Sequence, residues 1–505
     1  MKRFLCLGAV LCLFVICAGC GETFRPIIIP NPPKYPNPAA SHTVVTLNDN
    51  GLVVDGSAMV IDVSGDSIVS EKNVGLNPVY AVWQSASQVL AVNQSNSSLP
   101  QDSVTRLSFG GTVISNTSVI TLPPSYNSSG NLVSAAPNFI ATTEANQAYV
   151  LMPNYQPPNQ NNIGGTIVPS VAVINTQQNA LVTTLPVGAE PVAMAETPDG
   201  TKLYVANYGD GTISAFNTKD RSTRQICVNG TCPTGSTLVP LSSPPIWISA
   251  RSDSQRVYVL EQDGTVAYID TSSTAGPDQL YDDYSPIVQA PHTYYMWYDM
   301  ILNRLYIPGD GQLVIVDVSQ QVPQDQVFPG GIITPIPTVP QSSRASYDPC
   351  AATSTGTLSV VSVTSLPDGS RAYLGSFYSD GSGNVCPQVT VINTTNNTIK
   401  TATPVPGFPD ATNASFDNGL YYVPVCTTTR DMIGPTGSGF RWNMAAAGDS
   451  SRAFLSSCDG GNVNIIYTST DTYADNASAP SSARPPIPPS TQNPPQNPVF
   501  MLAGP

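Results

Sequence analysis

Side chains able to act in catalysis are few in this sequence. The two histidines, His42 and His292, are each followed by threonine, so the His-Glu-x-x-His zinc site of a metalloprotease is absent. The Gly-x-Ser-x-Gly and Walker motifs are absent too, and the glycine-rich stretch at 434–439 lacks the lysine of a phosphate loop. Four side chains remain as general bases for a hydrolase: Glu196, Asp253, His292 and Asp299. Their spacing does not predict convergence, and Asp253 is better explained as a turn residue. No catalytic residue is assigned.

An aromatic run at 292–298 is the strongest candidate for a binding surface. Flat rings bury a large area with little loss of entropy, which suits a sugar or a peptide. The residues concerned are His292, Tyr294, Tyr295, Trp297 and Tyr298. Alternating aromatic residues are more typical of a buried strand, and that interpretation is favoured over the binding surface.

Six cysteines follow the first twenty residues: Cys227, Cys232, Cys350, Cys386, Cys426 and Cys458. An even number in an exported chain indicates disulfides. Cys227 and Cys232 flank a turn-forming Val-Asn-Gly-Thr and form the favoured pair. The other four allow three pairings, of which 350 with 386 and 426 with 458 is the most local. The spacing lacks the Cys-x2-Cys knuckle of structural zinc, so neither a metal nor a cofactor is expected.

A repeated pattern predicts the elements that carry these side chains. In residues 189–218, Asp199-Gly200 and Asp210-Gly211 separate three short β-type runs, and Asp-Gly is a strong hairpin signal. The pattern recurs with a large apolar anchor in each second strand: Leu90, Tyr149, Tyr204, Tyr258, Tyr306, Tyr373 and Phe454. Third-strand runs follow at 102–109, 170–176, 211–218, 264–271, 311–318, 387–394 and 461–468.

Four-stranded sheets of this kind cannot bury both faces alone, so they must stack in a closed ring. The fold class is therefore all-β: a β-propeller of seven blades, each with four antiparallel strands. Eight blades stay open as an alternative, because Leu420–Val423 reads as a degenerate second strand. A further third-strand run at 57–64 is expected to complete the last blade after Ile465 and Ile466, closing the ring with an N-terminal strand.

The stretch Tyr204-Val205-Ala206-Asn207, preceded by Pro198-Asp199-Gly200, resembles the YVTN repeat of seven-bladed propellers. YncE-like and lactonase-type propellers look related, and the likeness covers about 410 of the 505 residues. Similar proteins are exported bacterial and archaeal surface proteins. The resemblance implies a lactonase-type hydrolase as an alternative function.

The first residues predict export and a lipid anchor. Lys2 and Arg3 precede an apolar stretch that is too short to span a membrane as a helix, and residues 1–19 read as a signal peptide. The sequence Cys17-Ala18-Gly19-Cys20 resembles the lipobox of bacterial lipoproteins, although Leu is usual in place of Cys17. This resemblance implies lipid on Cys20, and Gly21 favours the outer membrane. The alternative is an ordinary secretory signal that leaves a soluble protein.

The predicted domains are a lipidated, proline-rich tether at 20–41, the propeller at 42–479 and a proline-rich tail at 480–505. The apolar end of the tail, 499–502, either docks as a strand or stays loose. A net charge of -14 argues against nucleic acid and against anionic membrane surfaces as partners. The favoured function is a monomeric, non-catalytic binding or scaffold module for an envelope protein or glycan. Its partner would be held by a propeller face or by the long loops 319–356 and 424–440.

Overall fold

The computed structural model describes most of the region after the tether. The described residues are 43–49, 54–95, 101–144, 146–158, 165–232, 238–274, 276–281, 293, 295–319, 326–344, 348, 350, 358–380, 382, 384–405, 442–458, 462–473 and 496–504. The signal segment, Cys20 and the tether lie outside them. Within these ranges no helix is both long and apolar enough to cross a membrane.

Antiparallel sheets of four strands form the blades, which we number along the chain. Blade 1 begins with β1 (Thr43–Asp49), β2 (Asp55–Asp62) and β3 (Ser67–Leu76). Blade 2 contains β4 (Pro78–Ser85), β5 (Gln88–Asn93), β6 (Ser103–Gly110) and β7 (Val113–Thr121), and a hairpin of β8 (Ser125–Tyr126) and β9 (Leu132–Val133) follows it. Blade 3 contains β10 (Phe139–Glu144), β11 (Gln147–Met152), β12 (Ser170–Asn175) and β13 (Ala180–Pro186). Blade 4 contains β14 (Pro191–Glu196), β15 (Lys202–Asn207), β16 (Thr212–Asn217) and, after β17 (Ile226–Val228), β18 (Leu238–Pro240).

The second half of the chain repeats this arrangement. Blade 5 contains β19 (Pro245–Ala250), β20 (Arg256–Glu261), β21 (Val266–Asp270) and β22 (Asp278–Tyr281), with β17 added parallel to β22. Blade 6 contains β23 (Trp297–Asp299), β24 (Arg304–Gly309), β25 (Gln312–Asp317) and β26 (Gln326–Ile333), and a 3-10 turn at Gln341–Ser343 follows. Blade 7 contains β27 (Ser359–Ser365), β28 (Arg371–Ser379), β29 (Val385–Asn393) and β30 (Thr398–Pro404). Blade 8 contains β31 (Trp442–Ala446), β32 (Arg452–Ser457), β33 (Asn462–Tyr467) and β34 (Thr472–Tyr473). The last strand is β35 (Asn497–Ala503).

The described residues thus form eight blades, so the predicted count of seven is wrong and the open alternative of eight holds. The additional blade is blade 1, in which β35 pairs antiparallel with β1 and becomes the innermost strand. The predicted pairing of residues 57–64 with the last blade is also wrong, because β2 lies between β1 and β3. The ring is closed instead by the end of the chain, which pairs with its beginning. The 420–423 run lies outside the described residues.

All seven predicted anchors lie in second strands and are buried. Each exposes at most 2% of its surface: Leu90, Tyr149, Tyr204, Tyr258, Tyr306, Tyr373 and Phe454. A second strand has neighbours on both edges and a blade against each face, so its large side chains fill the space between blades. The turns also follow the sequence. Gly200 has φ 71° after Asp199, and where Asp-Gly is lost Asn303 adopts φ 51°.

A basic residue two positions before the anchor ties several blades to the next one. Such contacts run from Lys202 to Asp278, from Arg304 to the carbonyl of Thr394, from Arg371 to Asp471 and from Arg452 to Asp66. They join blades 4 and 5, 6 and 7, 7 and 8, and finally 8 and 1. The last contact therefore acts across the same junction that β35 closes.

Two disulfides join the cysteines that the sequence predicts as the favoured and most local pairs. Cys227 is bonded to Cys232, and Cys350 to Cys386. Cys458 is also disulfide-bonded, and its predicted partner Cys426 lies outside the described residues.

Candidate functional site

Aromatic side chains occupy the axis of the ring. Five blades each contribute one ring at or just before the innermost strand, and we call this set the aromatic belt: Phe500, Tyr80, Phe139, Trp247 and Tyr295. Four of the five expose 8% or less of their surface, and only Tyr80 is half-buried.

The belt is continuous from blade 1 to blade 6. The ring centroid of Tyr80 lies 4.5 Å from that of Phe500 and 4.4 Å from that of Phe139. Phe139 meets Trp247 edge-on at 5.6 Å, and Trp247 meets Tyr295 edge-on at 5.3 Å. Phe139 of blade 3 contacts Trp247 of blade 5 although blade 4 lies between them in the ring. Both rings therefore extend from their strands toward the axis. Edge-to-face and stacked geometries at these separations are favourable.

A bulge in the inner strand lies beside three of these rings. Tyr80 lies opposite Val92, Trp247 opposite Leu260 and Phe500 opposite Leu47, and in each case the register shifts between the aromatic residue and a proline two positions earlier. Phe139 likewise stands two residues after Pro137. Since a bulge re-aims the following side chain, the recurring Pro-x-aromatic triplet is the signal that could have revealed the belt.

Two members of the belt also interact electrostatically. Burial raises the pKa of the Tyr295 hydroxyl, and the Tyr80 hydroxyl raises it further. Blades 2 and 6, which carry these two residues, are opposite one another in a ring of eight. The Tyr295 hydroxyl donates a 2.7 Å hydrogen bond to the carbonyl of Val363 in blade 7. The belt therefore brings mainly buried rings from five blades into contact beside the inner strands.

The three described acidic candidates lie at the other end of the inner strands. Glu196 ends β14 and accepts the backbone N–H of Thr143 at 2.6 Å. Asp253 makes a two-bond ion pair with Arg251, at 2.9 and 2.7 Å, in the turn after β19.

Asp299 ends β23 and accepts the backbone N–H groups of Ile301 and Leu302, at 2.9 and 3.0 Å. Burial raises the pKa of Asp299. It stands four residues after Tyr295, about 13 Å along an extended strand, so the structure does not bring the acids to the belt. His292 lies outside the described residues.

The aromatic run divides between the belt and the turn end of blade 6. Tyr295 belongs to the belt. Trp297 is half-buried and its indole N–H donates to Ser365 at 3.1 Å, and the half-buried Tyr298 hydroxyl donates to Asn303 at 2.8 Å. His292 and Tyr294 lie outside the described residues, and the binding role of the run stays a prediction.

Of the two long loops, 319–356 is partly described and is built into the ring. Residues 326–333 form β26, the outer strand of blade 6. Arg344 is buried, pairs with Asp348 at 2.9 Å and donates to the carbonyls of Pro387 and Val405. This part of the loop is therefore held against blade 7. The other loop, 424–440, lies outside the described residues.

One group with metal-ligand spacing occurs among the described residues, formed by Cys350, Asp380 and Cys386. The two sulfurs are joined in a disulfide and so cannot act as thiolate ligands. Both oxygens of Asp380 are used in its own turn, where they accept from Ser382 and Asn384. The group is explained by its structural bonds.

A cleft of about 300 Å³ lies on the outer side of the ring, between blades 7 and 8. Its walls come from β30, the turn before β34 and the 3-10 turn: Ser343, Lys400, Thr401, Ala402, Thr403, Pro404, Thr470, Asp471 and Thr472. The buried Asp471 carboxylate pairs with Lys400, with Arg371 at 2.6 Å and with the Tyr373 hydroxyl at 2.6 Å. Its size is at the lower limit for ligand pockets.

A scan against protein-family models and a search of curated proteins found no match. Among solved structures, AztD from Citrobacter koseri in its apo form is similar over 92% of this chain and 98% of its own, with 10% identity and a TM-score of 0.52. A putative 6-phosphogluconolactonase from Bacteroides uniformis matches 74% of this chain and 97% of its own, with 12% identity and a TM-score of 0.44. The periplasmic gluconolactonase PpgL of Pseudomonas aeruginosa matches 72% and 95%, with 13% identity and a TM-score of 0.43. At these identities the likeness concerns the fold alone, and at TM-scores below 0.5 the two lactonases add no argument about this chain.

Proposed function

We propose that this protein is an exported, lipid-anchored β-propeller that binds a glycan or protein of the cell envelope without catalysis. The aromatic belt carries the proposal. A propeller hydrolase needs an acid or base beside a water-filled substrate site. Here buried rings lie on the inner strands, Glu196 is bonded to a strand of the neighbouring blade, and Asp253 and Asp299 are bound into turns.

The cleft between blades 7 and 8 supports binding at the outer side of the ring. It is lined by hydroxyl groups and one exposed ammonium group, and its buried Asp471 carboxylate accepts hydrogen bonds from three side chains. Such a lining can donate and accept hydrogen bonds, and it holds no group free to act as a base.

Catalysis is tested with purified protein and a panel of lactones, measured against spontaneous hydrolysis. Turnover that exceeds the background and that survives Lys400→Met, a change confined to the cleft, would replace the binding proposal with a hydrolase. Binding is tested by retention of the protein on immobilised envelope polysaccharide and by capture of partners from envelope extracts. Failure of both, with well-folded protein, contradicts the proposal.

The anchor is tested separately. Expression of the chain with Cys20→Ser should move it from the membrane fraction to the soluble periplasmic fraction, because the acyl chains supply the membrane affinity. Mass spectrometry of the wild-type N-terminal peptide should show acylated Cys20. If wild type is soluble and Cys20 is unmodified, the anchor is refuted and the protein is a secreted propeller without lipid.

A further inference from the structure

The geometry points to a carboxylated sugar, such as a uronic acid residue of an envelope polysaccharide, as the ligand of the cleft between blades 7 and 8. This inference rests on the proposed binding function and names its site and its ligand class. It is carried by the charge balance and by the hydroxyl lining of the cleft.

The charges around Asp471 do not cancel. Two cations, Arg371 and Lys400, share one carboxylate whose side chain is 2% exposed. The Tyr373 hydroxyl adds no charge, because burial and the adjacent Asp471 carboxylate raise its pKa and keep it protonated. Among the described residues, one positive charge therefore remains at the cleft, on a protein whose net charge is -14.

That surplus charge is accessible at Lys400. Its side chain is 41% exposed, while the side chain of Arg371 is 22% exposed. An ammonium group has three N–H donors, and the pair with Asp471 uses one of them. Lys400 can therefore bind a carboxylate from the solvent side without giving up its internal partner.

The rest of the lining suits a polyhydroxylated ring. Thr470 and Thr472 are exposed, and their hydroxyls are 2.7 Å apart. Ser343 of the 3-10 turn and Thr401 of β30 also line the cleft. A hydroxyl both donates and accepts, which matches the alternating donors and acceptors of a sugar. Ala402 and Pro404 also line the cleft.

A single surplus charge fits a monoanion better than a phosphate dianion. Phosphate sites in proteins are built from clustered backbone N–H groups or planar arginine forks, and the accessible cation here is one lysine. The size of the cleft, about 300 Å³, limits the ligand to one or two sugar residues.

The test is calorimetric titration of the full chain with D-glucuronate, D-glucose and propionate. We expect glucuronate to bind, glucose to bind at least tenfold more weakly, and propionate to bind more weakly than glucuronate, because only glucuronate has both the carboxylate and the hydroxyls. Lys400→Met should weaken glucuronate binding by roughly tenfold or more, and Lys400→Arg should preserve it. Lys72→Met, which removes an exposed lysine on β3 of blade 1, is the matched control and should have no effect.

Equal affinity for glucose and glucuronate would refute the role of the ligand carboxylate. Equal affinity for propionate and glucuronate would refute the role of the sugar hydroxyls. An unchanged affinity in Lys400→Met, or no binding of glucuronate by wild type, would overturn the site. The same proteins are then applied to immobilised envelope polysaccharide. Retention of both wild type and Lys400→Met shows that the proposed function holds while the cleft assignment fails. A wild type that is not retained on polysaccharide and captures no partner from envelope extracts shows that both fail.

Discussion

Replacing Asp278 with asparagine removes the one negative charge from a buried group of cations between blades 4 and 5. The carboxylate accepts from Lys202 at 2.9 Å, from the Tyr204 hydroxyl at 2.6 Å and from two nitrogens of Arg224, one of them at 2.8 Å. Asp278 is completely buried, and Lys202 and Arg224 are each less than 9% exposed. Carbonyl oxygens of Thr271, Ser273 and Gly276 complete the shell of acceptors around the two cations.

The expected cost follows from the charges that remain. Asp278→Asn leaves two buried cations with no counter-charge, and breaking a buried ion pair on one side costs about 3–5 kcal/mol. Unfolding entropy is about 2.1 cal/mol/K per residue, so the roughly 350 described residues give ~0.7 kcal/mol/K, and the loss corresponds to a Tm lower by roughly 4–7 °C. Differential scanning calorimetry at neutral pH measures it.

Lys202→Met is the decisive comparison, because it leaves the Arg224–Asp278 pair with a net charge of zero. Its expected cost is about 1–2 kcal/mol, mainly from the carbonyl of Thr271, which loses its donor. Asp220→Asn, an exposed aspartate in the same blade that bonds only to Ser222, should leave Tm unchanged. If Lys202→Met lowers Tm as much as Asp278→Asn does, the surplus of buried positive charge is not what makes Asp278 necessary, and the reasoning fails.

Two further outcomes are expected. Deleting residues 496–505 removes β35 and opens blade 1. Small-angle scattering should then show a larger radius of gyration, and proteolysis should begin near β1. An unchanged radius of gyration would contradict closure of the ring by β35. Stability should fall as pH rises above about 10, because unfolded tyrosines lose their protons there while burial raises the pKa of Tyr306 and keeps it protonated. Above about pH 10 the folded state therefore binds more protons than the unfolded state. Tyr306→Phe should reduce the slope of Tm against pH in this range. An unaltered slope would show that Tyr306 is not a source of the pH dependence.

The repeat made most of the ring predictable, because two local signals recur in it. One is the large anchor buried by blades on both sides, as at Tyr204. The other is a turn that needs positive φ, filled by Gly200 or by Asn303. Blade 1 was missed because its strands come from both ends of the chain, and the proline-rich stretch before β35 is typical of a tail.

The sites were harder to predict than the strands. Each belt residue is a single aromatic side chain per blade, and bulges beside Tyr80, Trp247 and Phe500 change the direction of their side chains. The cleft is formed by outer strands of two blades together with a turn that precedes blade 7, so no local sequence window contains it. Lys400 carried no signal in the sequence, because a lone lysine on an outer strand is usual at a protein surface.

Closure of the ring, the aromatic belt and the cleft between blades 7 and 8 all depend on β35. β35 pairs with β1, and it also supplies Phe500 to the aromatic belt. On its other side it joins blade 8, where the Asn443 side chain accepts the backbone N–H of Met501 at 2.8 Å. Blade 8 forms one wall of the cleft, so that wall is positioned only after the last residues of the chain have paired. A binding site between blades 7 and 8 is therefore completed only when the neighbouring junction of blades 8 and 1 has closed. Removal of β35 should abolish ligand binding at Lys400 even though every residue lining the cleft is still present.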